Sequence, residues 1–107
     1  MSSSLVLRTI YIDDSVDRAL TAQAHARGLS KGSIFRRWLA DGVRAVRHGN
    51  RSRTPMSAAT APLVLKTVQL SPQVDHLLRV QAFDEHVRQN EVLRQYLAIG
   101  LELNQGG

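Results

Sequence analysis

Leu5-Val6-Leu7-Arg8-Thr9-Ile10, near the start of the chain, returns 58 residues later as Leu63-Val64-Leu65-Lys66-Thr67-Val68. The correspondence continues without a gap from Leu5–Val46 onto Leu63–Asn104, a window of 42 residues. Identical pairs include Thr9/Thr67, Val16/Val74, Asp17/Asp75, Leu20/Leu78, Gln23/Gln81, Ala24/Ala82, Arg36/Arg94, Leu39/Leu97, Ala40/Ala98 and Gly42/Gly100. Ile10/Val68, Ile12/Leu70, Ile34/Val92, Phe35/Leu93 and Trp38/Tyr96 keep size and polarity. A match in both identity and apolar register over such a span marks an internal repeat.

Three segments follow: a first repeat over 5–46, a linker over 47–62 and a second repeat over 63–104. The linker carries Pro55, Pro62, Gly49, Asn50 and several Ser and Thr, with Arg47, Arg51 and Arg53 and no acid, the composition of a flexible basic tether. A 42-residue unit is close to the size below which a lone core fails. Each repeat is therefore expected to need the other, and a 16-residue linker reaches far enough, about 50 Å when extended, to let them meet.

Within each repeat the pattern changes from strand to helix. Residues 6–12 and 64–70 are rich in β-branched side chains and read as short strands. Asp13-Asp14-Ser15 and Ser71-Pro72-Gln73 follow as helix starts, with Asp13 and Ser71 as caps and Pro72 at the first helical position. Val16, Ala19, Leu20, Gln23 and Ala24 then recur at helical spacing, as do Val74, Leu77, Leu78, Gln81 and Ala82. Gly28 ends the first of these helices and His86 stands at the matching place in the second. Ser30 caps a further helix with the stripe Ile34, Phe35, Trp38, Leu39, Gly42, Val43 and Val46, matched by Val92, Leu93, Tyr96, Leu97, Gly100 and Leu101. Trp38, Tyr96, Phe35 and Phe83 are expected in the core.

Composition removes several function classes. The 107 residues contain no cysteine, so neither a disulfide framework nor a cysteine nucleophile exists. No apolar run reaches the roughly 18 residues of a membrane helix, and the first residues lack the pattern of a signal peptide, so a cytoplasmic protein is expected. Asp13-Asp14 sits where caps are usual rather than as a catalytic pair. His25, His48, His76 and His86 show no metal-ligand spacing and are expected at the surface. Neither an enzyme nor a bound cofactor is expected. Fourteen Lys and Arg against nine Asp and Glu leave a net charge of +5, which suits a polyanionic partner.

A lone strand cannot satisfy its own backbone, but two can pair. The expected fold is mainly α with a two-stranded antiparallel β-ribbon. Each repeat resembles the ribbon-helix-helix DNA-binding unit of the Arc, MetJ and CopG type, most clearly in Arg8-Thr9-Ile10-Tyr11-Ile12-Asp13-Asp14-Ser15-Val16 and Gly28-Leu29-Ser30-Lys31. The resemblance implies two ribbon-helix-helix repeats folded as one intramolecular pseudo-dimer, whose ribbon enters the major groove of double-stranded DNA. Strand alternation puts one parity toward DNA. Leu7, Thr9, Tyr11, Leu65, Thr67 and Gln69 are expected to face the bases. Arg8 and Lys66, of inward parity, are expected to reach phosphates, together with Ser30, Lys31 and Ser33 at a helix N-terminus, Arg88 in the second repeat, and Arg51 and Arg53 in the linker. Charge is uneven, +3 in 5–46, +3 in the linker and −1 in 63–104, so the first repeat and linker should neutralise most phosphates.

The function so implied is sequence-specific DNA binding by a transcriptional repressor, with self-association of pseudo-dimers on DNA. The alternatives are a relaxosome accessory protein of a conjugative plasmid, with a relaxase as partner, and a DNA-binding antitoxin, with a toxin as partner. The chain ends soon after its last helix, against a toxin-wrapping tail. An RNA-binding or purely structural module has little support from the few exposed aromatic residues.

Overall fold

A computed structural model of the chain describes residues 4–51 and 62–105. The elements run β1 (Val6–Asp13), α1 (Asp14–Arg27), α2 (Lys31–Arg47), β2 (Leu63–Leu70), α3 (Pro72–Glu85) and α4 (Gln89–Gln105). The chain is thus mainly helical, with one two-stranded antiparallel sheet, and strand–helix–helix occurs twice in succession. The strands pair from Val6 opposite Leu70 to Asp13 opposite Leu63, with Thr9 facing Thr67 at the centre. The Asp14 amide donates to the Pro62 carbonyl at 3.0 Å, which joins the entry of β2 to the start of α1. No helix among the described residues is long and apolar enough to cross a membrane.

Local chemistry sets the helix ends. Ser30 and Ser71 cap α2 and α3, accepting from the Ser33 amide at 3.1 Å and the Val74 amide at 3.3 Å. Gly28 ends α1 in the left-handed conformation at φ 64°, the usual glycine role. His86 ends α3 the same way at φ 56°. Asp13 holds the N-cap position of α1 but, contrary to expectation, makes no side-chain cap bond. Arg94 of α4 takes its carboxylate instead, through Nε and Nη2 at 2.9 and 3.1 Å. Two parallel bonds from a guanidinium outweigh a single bond from a backbone amide to the same carboxylate.

The core lies between the inner face of the ribbon and the crossing of α2 with α4. Ile10, Ile12 and Leu70 descend from the strands onto Ile34, Phe35, Trp38, Leu39, Val92, Leu93, Tyr96 and Leu97. Trp38 and Tyr96 are almost wholly buried, and the Tyr96 hydroxyl donates to Gln81 Oε1. Gly42 rests on the backbone of Tyr96, where a Cβ would stand 2.0 Å from the Tyr96 carbonyl oxygen. Gly100 meets Trp38 in the same way, its Cβ falling 1.8 Å from the Trp38 oxygen. The two glycines let the helix backbones touch. Phe83 corrects the core expectation: it projects from the outer side of α3 and is 80% exposed. Its spacing is helical, but the inward stripe of α3 is already filled by Leu78 and Ala82.

Candidate nucleic-acid interface

Alternation along the two strands divides their side chains cleanly. Leu7, Thr9 and Tyr11 of β1 and Leu65, Thr67 and Gln69 of β2 are all exposed. Ile10, Ile12 and Leu70 are buried, and Val6, Arg8, Val64, Lys66 and Val68 are half-buried beneath the ribbon. Register places the outward residues opposite each other as Leu7–Gln69, Thr9–Thr67 and Tyr11–Leu65. The backbone of Tyr11 turns away from β2, since its amide donates to Asn90 Oδ1 at 2.8 Å and its carbonyl accepts from Asn90 Nδ2 at 2.9 Å. Tyr11–Leu65 is therefore a non-hydrogen-bonded pair, and by alternation so are the other two. Side chains stand closest in such pairs, so the six form a dense exposed strip. The strip offers hydroxyls at its centre, an amide and a phenol at opposite corners, and a leucine at each remaining corner.

Beneath the strip lie the two strand cations. Arg8 Nε binds Asp75 Oδ1 at 2.6 Å, and Lys66 Nζ lies 3.4 Å from Asp17 Oδ2. These are corresponding positions of the two repeats, and each pair crosses from the strand of one repeat to the first helix of the other. Further cations differ between the halves. Asp75 also receives Arg79 at 3.1 Å, whereas Asp17 receives Lys31 at 2.7 Å. The hydrogen bond from Arg8 holds the Asp75 carboxyl below the usual carboxylate range against the opposing effect of burial, with the Arg8 and Arg79 charges adding to it. Burial pushes Asp17 upward, but Lys31 and Lys66 together outweigh it and leave this carboxyl lowered as well. Arg8 and Lys66, expected at phosphates, are thus held by carboxylates of the opposite repeat. A salt link under the ribbon offsets the charge of a half-buried cation without any ligand, although Arg8 Nη2 is buried with no hydrogen-bond partner among the described residues.

The edges of the ribbon are unequal. Beside β2 a cleft of about 430 Å³ is lined by Lys31, Arg36, Lys66 and Gln69 over Leu20 and Phe35. Beside β1 the corresponding cleft is about 210 Å³, and Asn90 lies in it. Asn90 is clamped on the backbone of Tyr11, while the matching position of the first repeat is Gly32, which has no side chain to offer Gln69. Arg36 is unequal too. Its counterpart Arg94 is taken by Asp13, but the matching carboxylate position in the second repeat is Ser71, and Arg36 has no carboxylate partner among the described residues.

At the start of α2 the Ser30 and Ser33 hydroxyls lie 2.8 Å apart, and the Ser33 and Ile34 amides donate to Ser30 Oγ and to the Ser30 carbonyl. The amides of Lys31 and Gly32 have no acceptor among the described residues and remain open at the positive end of the helix. Lys31 itself is half-buried against Asp17. Arg88 is exposed just before α4, next to Glu91. Arg51 bonds Glu102 Oε2 at 2.7 Å, so this linker arginine packs back on α4. Arg53 lies outside the described residues. The strip, the Lys31–Ser33 turn and the wide cleft adjoin one another, and Arg51 is held apart from them at the far end of α2.

Sequence reasoning missed Asn90, Asp17 and Asp75 as parts of this region. Asn90 had no signal, because its partner is 79 residues away. Asp17 and Asp75 did have one: identical acids in both repeats, matched by a cation at an inward strand position in both. No group of His and acidic residues among the described residues could hold a metal ion. Comparison of the chain with models of known protein families, with curated proteins and with solved structures found no match to any of them.

Proposed function

We propose that this protein binds double-stranded DNA in a sequence-specific way, its two repeats acting as one intramolecular pseudo-dimer of the ribbon-helix-helix kind that lays the strip of β1 and β2 into the major groove. The observation that carries the reading is the outward set Leu7, Thr9, Tyr11, Leu65, Thr67 and Gln69, six exposed side chains on one face of a two-stranded ribbon with none of them turned into the core. A two-stranded ribbon fits a groove about 12 Å wide, where every base pair shows a distinct pattern of donors and acceptors. Thr9 and Thr67 suit base edges or a thymine methyl, Gln69 suits adenine, and Leu7 and Leu65 suit methyl groups. The open amides of Lys31 and Gly32, with Arg36 in the cleft beside them, suit a phosphate on the flank of the groove. Repression of transcription follows if the bound element overlaps a promoter.

The halves are not equivalent on this reading. The first repeat has the open helix start, the wide cleft and Arg36 with no carboxylate partner among the described residues, and the second has Asn90 and Glu91 at its helix start and an Arg94 taken by Asp13. Phosphate contact therefore concentrates on one flank, and the bound element is asymmetric. A salt titration of binding to random-sequence duplex DNA tests the electrostatic part. The logarithm of affinity should fall steeply and linearly with the logarithm of salt. Arg36→Ala should make that slope shallower by about one contact. Binding with no salt dependence, or none at all at low salt, contradicts the proposal.

A further inference from the structure

Phe83 is the most exposed large apolar side chain among the described residues, and it lies away from the ribbon, on the outer side of α3. Val80, one turn earlier, is exposed as well. Asp84 adjoins them, and the last turn of α3 carries no basic residue. The corresponding face of α1 has the opposite character. Ala22 and Ala26 replace Val80 and Asp84, His25 replaces Phe83, Leu29 is exposed just beyond, and the last turn carries His25 and Arg27. Because α1 packs on α2 and α3 packs on α4, the two faces occupy different flanks of the molecule.

We propose that the α3 face docks on the α1 face of a second copy of this chain, head to tail. Phe83 and Val80 lie over Ala22, Ala26 and Leu29, and Asp84 faces Arg27. Small side chains on one face leave room for a phenylalanine on the other, and the charges at the rim are complementary. The two like-with-like arrangements are disfavoured, since α3 on α3 sets Asp84 against Asp84, and α1 on α1 sets Arg27 against Arg27. Two different faces make a heterologous joint, which repeats into a row instead of closing as a dimer. The contact is small, so it is weak between free molecules and is screened by salt. If the DNA reading holds, such a row sits on sites arranged as direct repeats. The docking itself does not depend on that reading, and its test contains no DNA.

Sedimentation velocity of the full chain at low ionic strength, over a concentration series reaching the millimolar range, is the test. The sedimentation coefficient of the unaltered protein should rise with concentration and lose that rise in about 0.5 M salt. Phe83→Ser, Asp84→Arg and Arg27→Asp should each abolish the rise while leaving the far-ultraviolet circular dichroism unchanged. An equimolar mixture of the Asp84→Arg and Arg27→Asp proteins should restore it, because one then offers two cationic faces and the other two anionic faces. A protein that stays monomeric throughout overturns the proposal and leaves the face to a different partner. Association unaffected by the three substitutions, strengthened by Asp84→Arg alone, or not restored in the mixture also overturns it.

Discussion

Asp75 gathers Arg8 from the opposite strand and Arg79 from its own helix, and its carboxyl binds a proton less readily than a free aspartate does. Asp17 is lowered in the same direction by Lys31 and Lys66. A carboxyl lowered by folding adds stability that is fully present above its unfolded value and is lost as pH falls through the folded one. The window therefore begins near pH 4 and extends below it. Asp75→Asn should lower stability at pH 7, and the gap from the unaltered protein should shrink and vanish as the pH is taken well below 4. Urea unfolding at pH 7, 4 and 3 reads this directly. An unchanged gap at all three values would mean that the ion pairs contribute nothing through titration. The same residues show where the sequence was legible and where it was not. Identical acids at 17 and 75 and cations at 8 and 66 stood in the repeat comparison, but which acid meets which cation depends on the strands pairing across the repeats. Asp13 was correctly placed at a helix start, yet Arg94, 81 residues away, decides what its carboxylate does.

At the scale of elements, α2 and α4 cross with backbone against backbone at Gly42 and Gly100. Glycine within a helix costs about 1 kcal/mol relative to alanine, so it persists here only because the close approach requires it. Gly42→Ala or Gly100→Ala should therefore destabilise the protein by roughly 1–3 kcal/mol or more, despite the better helix propensity of alanine. Each methyl would meet main-chain atoms that no rotamer change can move. Thermal unfolding followed through Trp38 fluorescence measures it, and a neutral or stabilising result would show that the helices can separate at no cost. The identity of the two glycines was visible in the sequence; the reason for it lies in a crossing that no single helix contains. Strand and helix boundaries were legible to within a residue or two, because Ser30, Ser71, Pro72 and Gly28 act locally. Phe83 was misjudged from its spacing alone. Its counterpart His25 was the better guide, since a position that is polar in one repeat and apolar in the other is more readily explained by solvent than by a shared core.

For the whole molecule, the two repeats place corresponding residues on one ribbon but do not make them equal. Tyr11 stands where the second strand has Gln69, Gly32 where the second repeat has Asn90, and Asp13 where it has Ser71. The exposed strip follows from strand alternation and was legible in full, whereas the difference between the two clefts was legible only as a list of substitutions without geometry. The central claim is that this strip reads base pairs in duplex DNA. Selection of bound sequences from a pool of random duplexes, run in parallel with the unaltered protein and with Gln69→Ala, tests it most directly. The account predicts one enriched asymmetric motif for the unaltered protein. In the Gln69→Ala pool, preference should relax at a single position, most simply an adenine, with a loss of about 1–3 kcal/mol on the original site. No enriched motif, or a perfect palindrome that Gln69→Ala leaves unchanged, would contradict it.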